Sequence, residues 1–135
     1  MVMPRSLNTV WPLVREGLNE INRKTGSDDR VDMVKSALET NPRMRLYLVT
    51  ERGAYSGFVI TKIDENLDKR ELCLYKGYSV PESKWKSEEF MVNIKKVARD
   101  FRCSSITLYS TRRGWRRKAK ALGFAQGYTQ YIMEV

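Results

Sequence analysis

The sequence predicts an α+β domain: a central mixed, mostly antiparallel sheet with helices on both faces. Three observations carry that prediction. Two amphipathic stripes of helical period occupy the first forty residues. Three alternating apolar segments follow with only short polar breaks, as in an antiparallel meander. A long helical stripe then separates the third strand from the fourth, so those two pair in parallel through a crossover. The order is α-α-β-β-β-α-β-α-β, which belongs to the α+β class. At 135 residues the chain forms one domain, 1–135, able to bury roughly two thirds of its unfolded surface.

The first helix opens at Asn8 or Thr9, with Pro12 in its first turn and Val10, Val14, Leu18 and Ile21 on one face beside Trp11 and Gly17. Asn22 to Gly26 reads as a turn. Ser27 caps the second helix, Asp28 and Asp29 suit its dipole, and Val31, Val34, Ala37 and Leu38 form its stripe. Asn41-Pro42 ends it. Strands are expected over Leu46 to Thr50, Tyr55 to Ile63 and Glu71 to Tyr75, with Arg52-Gly53 as a hairpin turn and Asp64 to Asp68 as a polar loop. The long helix runs from about Ser83 to Phe101, its core face Phe90, Met91, Ile94, Val97, Ala98 and Phe101. In the next strand Ile106 and Leu108 point one way, Thr107 and Tyr109 the other. A short helix carries Trp115, Ala119 and Leu122 at i, i+4, i+7, Gly123 stops it, and Gln126 to Glu134 closes the sheet.

Composition limits the chemistry. Apolar residues make up 41% and charged residues 30%, ordinary for a globular domain, and no run reaches the ~20 apolar residues of a membrane span. MVMPRSLN has neither an apolar core nor a cleavage site of the secretory kind, so no signal peptide is expected. The sequence contains no histidine, which removes imidazole-based acid–base cycles and Ser-His-Asp or Cys-His nucleophiles. Cys73 and Cys103, without Cys-x-x-Cys spacing, give no metal site; both read as buried apolar residues in a reducing compartment.

The net charge of +9 points to an anionic partner: nucleic acid, a phosphorylated ligand or an acidic protein surface. Its densest part is the opening of the last helix. Six of the nine residues from Arg112 to Lys120 are basic (Arg112, Arg113, Arg116, Arg117, Lys118 and Lys120), and no acidic residue lies between Ser110 and Gln130 to offset them. A helix start already carries unpaired N–H groups and partial positive charge, so arginines there suit an anion. The same run also reads as the solvated face of a short amphipathic helix. Nucleic acid fits less well than a phosphorylated ligand or acidic protein, because no groove-reading helix or aromatic array accompanies the charge.

With this order of elements and the ending AKALGFAQGYTQYIMEV, the chain resembles the GNAT acetyltransferases, in which a Leu-Gly-Phe stop before the final strand is common. Arg112-Arg113-Gly114-Trp115 before Leu122-Gly123-Phe124, the early Trp11 and the stretch from Ala98 to Ser110 resemble, more narrowly, small GNAT-like proteins of tailed bacteriophages. The topological match covers nearly the whole chain, though a first strand before the first helix is missing or very short. The resemblance implies binding of acetyl-CoA in a splayed gap between the family's fourth and fifth strands, with acetyl transfer to an amine. It also implies a host-cytoplasmic or virion setting. Lys76, Gly77, Tyr78, Ser83, Lys84, Arg112 and Arg113 are then the cofactor-binding candidates, and Tyr109 and Glu71 the catalytic ones. Three positions depart from the family: the loop Lys76–Trp85 has one glycine and a proline where a glycine-rich cradle is usual, Ala119 replaces the general-acid tyrosine, and Arg112 replaces a cofactor-holding asparagine. These departures keep a second expectation open, a non-catalytic GNAT-derived protein that serves as a virion component or binds a host protein or nucleic acid.

Overall fold

The structure is a computed structural model that describes residues 3–26, 30–81, 87–108, 119–120, 123–125 and 133–135. After a 3-10 turn (Pro4–Ser6), the elements are α1 (Leu7–Thr25), α2 (Val31–Thr40), β1 (Met44–Glu51), β2 (Ala54–Asn66), β3 (Lys69–Ser79), α3 (Ser87–Asp100) and β4 (Ser105–Leu108). They build one sheet in the order β1-β2-β3-β4, antiparallel across the first three strands and parallel between β3 and β4. The α+β class and the crossover are as the sequence predicts.

Alternation along the strands sorts two cores onto opposite faces. Phe58 and Ile60 of β2 and Leu46 of β1 point toward α1 and α2, meeting Trp11, Val14, Leu18, Val34 and Leu38. Val59 and Ile63 of β2, with Leu72 and Leu74 of β3, point toward α3, meeting Ile94 and Ala98 beside half-buried Phe90, Val97 and Phe101. Ile106 and Leu108 join the α3 side as their period requires, and Thr107 lies on the other. Cys73 is buried, Cys103 half-buried, and both are free thiols.

Several element ends differ from expectation, each for a local reason. α1 begins at Leu7, so Pro12 sits well inside the helix, where the Asn8 carbonyl cannot receive a bond from it. It also continues through Asn22 to Thr25 and stops at Gly26 with φ 69°, so the expected turn is the last helical turn and its left-handed cap. α2 starts at Val31 with an extended Arg30 in the cap position and no side-chain cap bond; Ser27, Asp28 and Asp29 lie outside the described residues. The expected loop Asp64 to Asp68 is mostly strand. β2 runs to Asn66 and turns on Leu67-Asp68, and the Glu65 carboxylate, paired with Arg43 and Arg70, is held below the usual carboxylate range by those guanidiniums. Arg52 and Gly53, both at positive φ (51° and 80°), make the β1–β2 turn of the primed type.

β3 shows the largest difference. It extends four residues beyond Tyr75, and the register against β2 shifts between Ile60/Thr61, leaving Tyr75 as an extra residue. The described part of α3 begins at Ser87; residues 82–86 lie outside it. Of the last helix and strand, Ala119 and Lys120 are helical and Gly123 has φ 93°. The Gly123 N–H donates to the Lys120 carbonyl and the Phe124 N–H to the Ala119 carbonyl, the paired bonds of a glycine-terminated helix. Met133 and Glu134, expected in the closing strand, are not in strand conformation; residues 126–132 are outside the described set.

Candidate functional site

The parallel pairing of β3 with β4 is short. It joins Glu71 to Ser105, Leu72 to Ile106, Cys73 to Thr107 and Leu74 to Leu108, and the bulge at Tyr75 follows at once. Beyond it, Lys76–Ser79 pair with β2 on one side, and no described residue pairs with them on the other. The bond from the Val80 N–H to the Ser56 carbonyl sets the phase of this segment. It makes Gly57 with Ser79, and Val59 with Gly77, pairs that do not bond to each other, so the N–H and C=O of Gly77 and Ser79 point away from β2, past the end of β4. Two donors and two acceptors thus face away from β2, spaced as in a strand, with no described residue paired to them.

The other candidates fall into place around this edge. Gly77 is exposed, and a Cβ built there would come no nearer than 3.5 Å to Val59, so its backbone is approachable. Lys76 is half-buried with Nζ 5.2 Å from the centre of the Tyr75 ring. The predicted loop from Lys76 to Trp85 is strand as far as Ser79, and its residues 82–85 lie outside the described residues. Tyr78 serves the core: its ring lies 5.8 Å from Phe58, tilted 35°, against Gly17 of α1. Glu71 sits on the paired part of β3, six residues from Gly77, which at ~3.3 Å per residue is about 20 Å away. Lys120 is exposed on its helical turn. Ser83, Lys84, Tyr109, Arg112, Arg113, Arg116, Arg117 and Lys118 lie outside the described residues, as does most of the basic helix opening. Among the described residues no cluster of metal-ligating side chains occurs, and no helix is long and apolar enough to cross a membrane.

One group was not marked by the sequence. Tyr55, half-buried, directly precedes the buried run of β2, two residues before Gly57, the partner of Ser79, so it lies toward the Ser79 end of β3. Its hydroxyl is buried without a hydrogen-bond partner. Burial pushes its pKa up to about 12, with Tyr78 and the Glu16 carboxylate adding to the rise. A tyrosine at a strand start carries no sequence signal to separate it from packing aromatics.

A raised phenol pKa favours the protonated, native form. Its contribution is whole below the ordinary tyrosine value near ~10 and is lost as pH rises through about 12. A spectrophotometric titration of tyrosinate should therefore show a late fraction that disappears in Tyr55→Phe. That variant should be no less stable at neutral pH, because an unpartnered buried hydroxyl costs roughly 1–3 kcal/mol. Loss of stability in Tyr55→Phe would mean that the hydroxyl has a partner.

No protein-family model and no curated protein sequence matches the chain; the similarity lies in its structure. The fold is that of the GNAT acetyltransferases. A possible acetyltransferase from Clostridium difficile superposes with a TM-score of 0.75 at 16% identity, covering 99% of this chain and 94% of that one. A ribosomal-protein-alanine N-acetyltransferase from Brucella melitensis biovar Abortus gives 0.72 at 14% identity, with 99% and 96% covered. An aminoglycoside N-acetyltransferase solved in complex with CoA gives 0.71 at 9% identity, with 95% and 94% covered.

Proposed function

We propose that this protein is an acetyl-CoA-dependent N-acetyltransferase whose cofactor lies along the outer edge of β3. The observation that carries the reading is the outward-facing backbone of Gly77 and Ser79, which follow the Tyr75 bulge and have no described residue paired to them beyond Leu74–Leu108. The pantetheine arm of CoA is an extended chain with two amides, and such a chain adds to a strand edge by main-chain bonds. Gly77 and Ser79 fit that arm, and Lys76, with Lys84, Arg112 and Arg113, would supply charge for its phosphates. When bound, acetyl-CoA supplies an acyl group activated as a thioester toward an amine.

The chain's own residues would do the rest. Tyr55, protonated through the physiological range and with its hydroxyl enclosed, cannot act as a base. Tyr109 follows β4 directly in sequence and remains the candidate acid for the leaving thiolate, because Ala119 stands where the family has its tyrosine. Glu71, about 20 Å along β3 from Gly77, is too remote for proton transfer at the edge.

Calorimetry with acetyl-CoA tests this reading. Wild type should bind and be thermally stabilised. Gly77→Pro removes an N–H that the β2 ladder does not use, and should weaken binding at least about tenfold, the equivalent of one main-chain bond. Glu71→Gln should bind as wild type does. Absence of both heat and stabilisation in the wild type would remove the enzyme reading.

A second reading, a GNAT-derived phage protein that binds an anionic partner without catalysis, is favoured by Ala119 and by the charge density from Arg112 to Lys120. Under it, Arg112→Ala/Arg113→Ala should weaken binding of nucleic acid or of an acidic protein, with steep salt dependence for nucleic acid. An unchanged variant would leave those arginines as solvated surface.

A further inference from the structure

β1 is an outer strand of the sheet. Its inner edge pairs with β2, and among the described residues nothing pairs with its outer edge. The bond from the Ile63 N–H to the Arg43 carbonyl fixes its phase: Met44 and Lys62 are opposed without bonding to each other. The N–H and C=O of Met44, Leu46, Leu48 and Thr50 therefore point outward. The irregularity at Val49/Thr50 places its extra residue, Ser56, on β2, so β1 itself alternates without a break. Its sequence, MRLYLVTE, contains no proline, glycine or lysine, the residues that usually blunt an edge against pairing.

We propose that β1 pairs antiparallel with β1 of a second copy of this chain, about a two-fold axis at Leu48. In that register Leu48 opposes its own counterpart, and Leu46 opposes Thr50; all are outward-pointing residues, so both are bonded pairs. Arg45 then opposes Glu51 of the second copy in a non-bonded pair, where opposed side chains come closest. The two residues lie on the same face of β1, the α3 face, where the Arg45 guanidinium sits 4.0 Å from the centre of the Phe101 ring. The two-fold repeats the guanidinium–carboxylate pair at the other end, so the contact is self-complementary and closed.

Charge selects this register over its neighbours. A slip of one residue sets outward-pointing residues against inward-pointing ones and fails to bond. Moving the axis to Tyr47 sets Arg45 against Val49, and moving it to Val49 sets Arg45 against Gly53; both lose the ion pair. The surface is distinct from the edge of β3, which lies on the far side of β2.

Sedimentation equilibrium over a wide concentration range tests the proposal. Wild type should dimerise. Arg45→Glu and Glu51→Arg should each weaken the dimer by at least about tenfold, because each sets like charges opposite one another twice. The double variant should dimerise again. An equimolar mixture of the two single variants should form a heterodimer, since it restores opposite charges at both ends. A monomeric wild type at every concentration, or a dimer indifferent to both reversals, would overturn the assignment. Should Arg45→Glu lose its fold with the Phe101 contact, as read by circular dichroism, Glu51→Arg alone must still weaken the wild-type dimer.

Discussion

Replacing Phe58 with alanine should cost about 3–5 kcal/mol, the range for emptying a fully buried aromatic site. Phe58 has no exposed surface and lies where α1 presses closest on the sheet. Gly17 makes that approach possible: a Cβ there would meet Phe58 Cε1 at 2.5 Å and Tyr78 Cδ1 at 2.8 Å. The cavity left by alanine could not close easily, because Val14 and Leu18 hold α1 in place on either side. The companion substitution, Gly17→Ala, sets two effects against each other. Helix propensity favours alanine by about 1 kcal/mol, while overpacking against two rings costs roughly 1–3 kcal/mol, so a net loss is expected. In the Phe58→Ala background that loss should shrink, since one of the two clashing rings is gone. Urea midpoints of the four proteins, read at constant slope, check the cycle. A Phe58→Ala midpoint within roughly 0.5 kcal/mol of wild type, the range of a surface change, would mean that α1 does not pack as described.

Ile94→Ala should cost about 2–5 kcal/mol, with neighbouring Lys95→Ala within roughly 0.5 kcal/mol of wild type. Ile94 is 4% exposed and packs with Ala98 against Val59, Ile63, Leu72 and Leu74, whereas Lys95 faces solvent. The contrast tests which face of α3 meets the sheet. It also tests whether the crossover between β3 and β4 depends on that contact, because Ile106 and Leu108 of β4 join the same cluster. A large effect at Lys95 and none at Ile94 would reverse the helix face.

The helical and meander order was legible because its apolar periods are unbroken: Val10, Val14, Leu18 and Ile21 in α1, and Phe90, Ile94 and Val97 in α3 with Phe101 just after it, all pack as their spacing predicts. The candidate edge was not. At Tyr75 the extra residue interrupts the alternation of Leu72 and Leu74, so Lys76, Gly77 and Tyr78 present no continuous pattern and read as loop. A bulge leaves no signature of its own in the residues, and Gly77 pointed toward a phosphate-binding turn in place of a strand. The expected loop from Asp64 failed differently. Polar residues at the end of a long hairpin look like a connection, yet the backbone ladder continues to Asn66 and Lys69, with Glu65 between Arg43 and Arg70 on its surface. Tyr55 was illegible because what distinguishes it, a hydroxyl enclosed without a partner, depends on residues distant in the chain.

The uneven connectivity of the sheet has a kinetic consequence. Two-residue turns close β1, β2 and β3 into a local unit, whereas β4 reaches β3 only after the whole of α3 has been laid down. Contacts between residues far apart in sequence pay loop-closure entropy before they are rewarded, so the β3–β4 pairing is expected to form last and to open first. Amide exchange in Ser105–Leu108 should accordingly proceed through a partial opening that leaves the meander protected. The outward edge of Gly77 and Ser79 continues that seam, so a molecule bound along it and held against β4 would act as a fastener, slowing exchange in β4 far more than in β1.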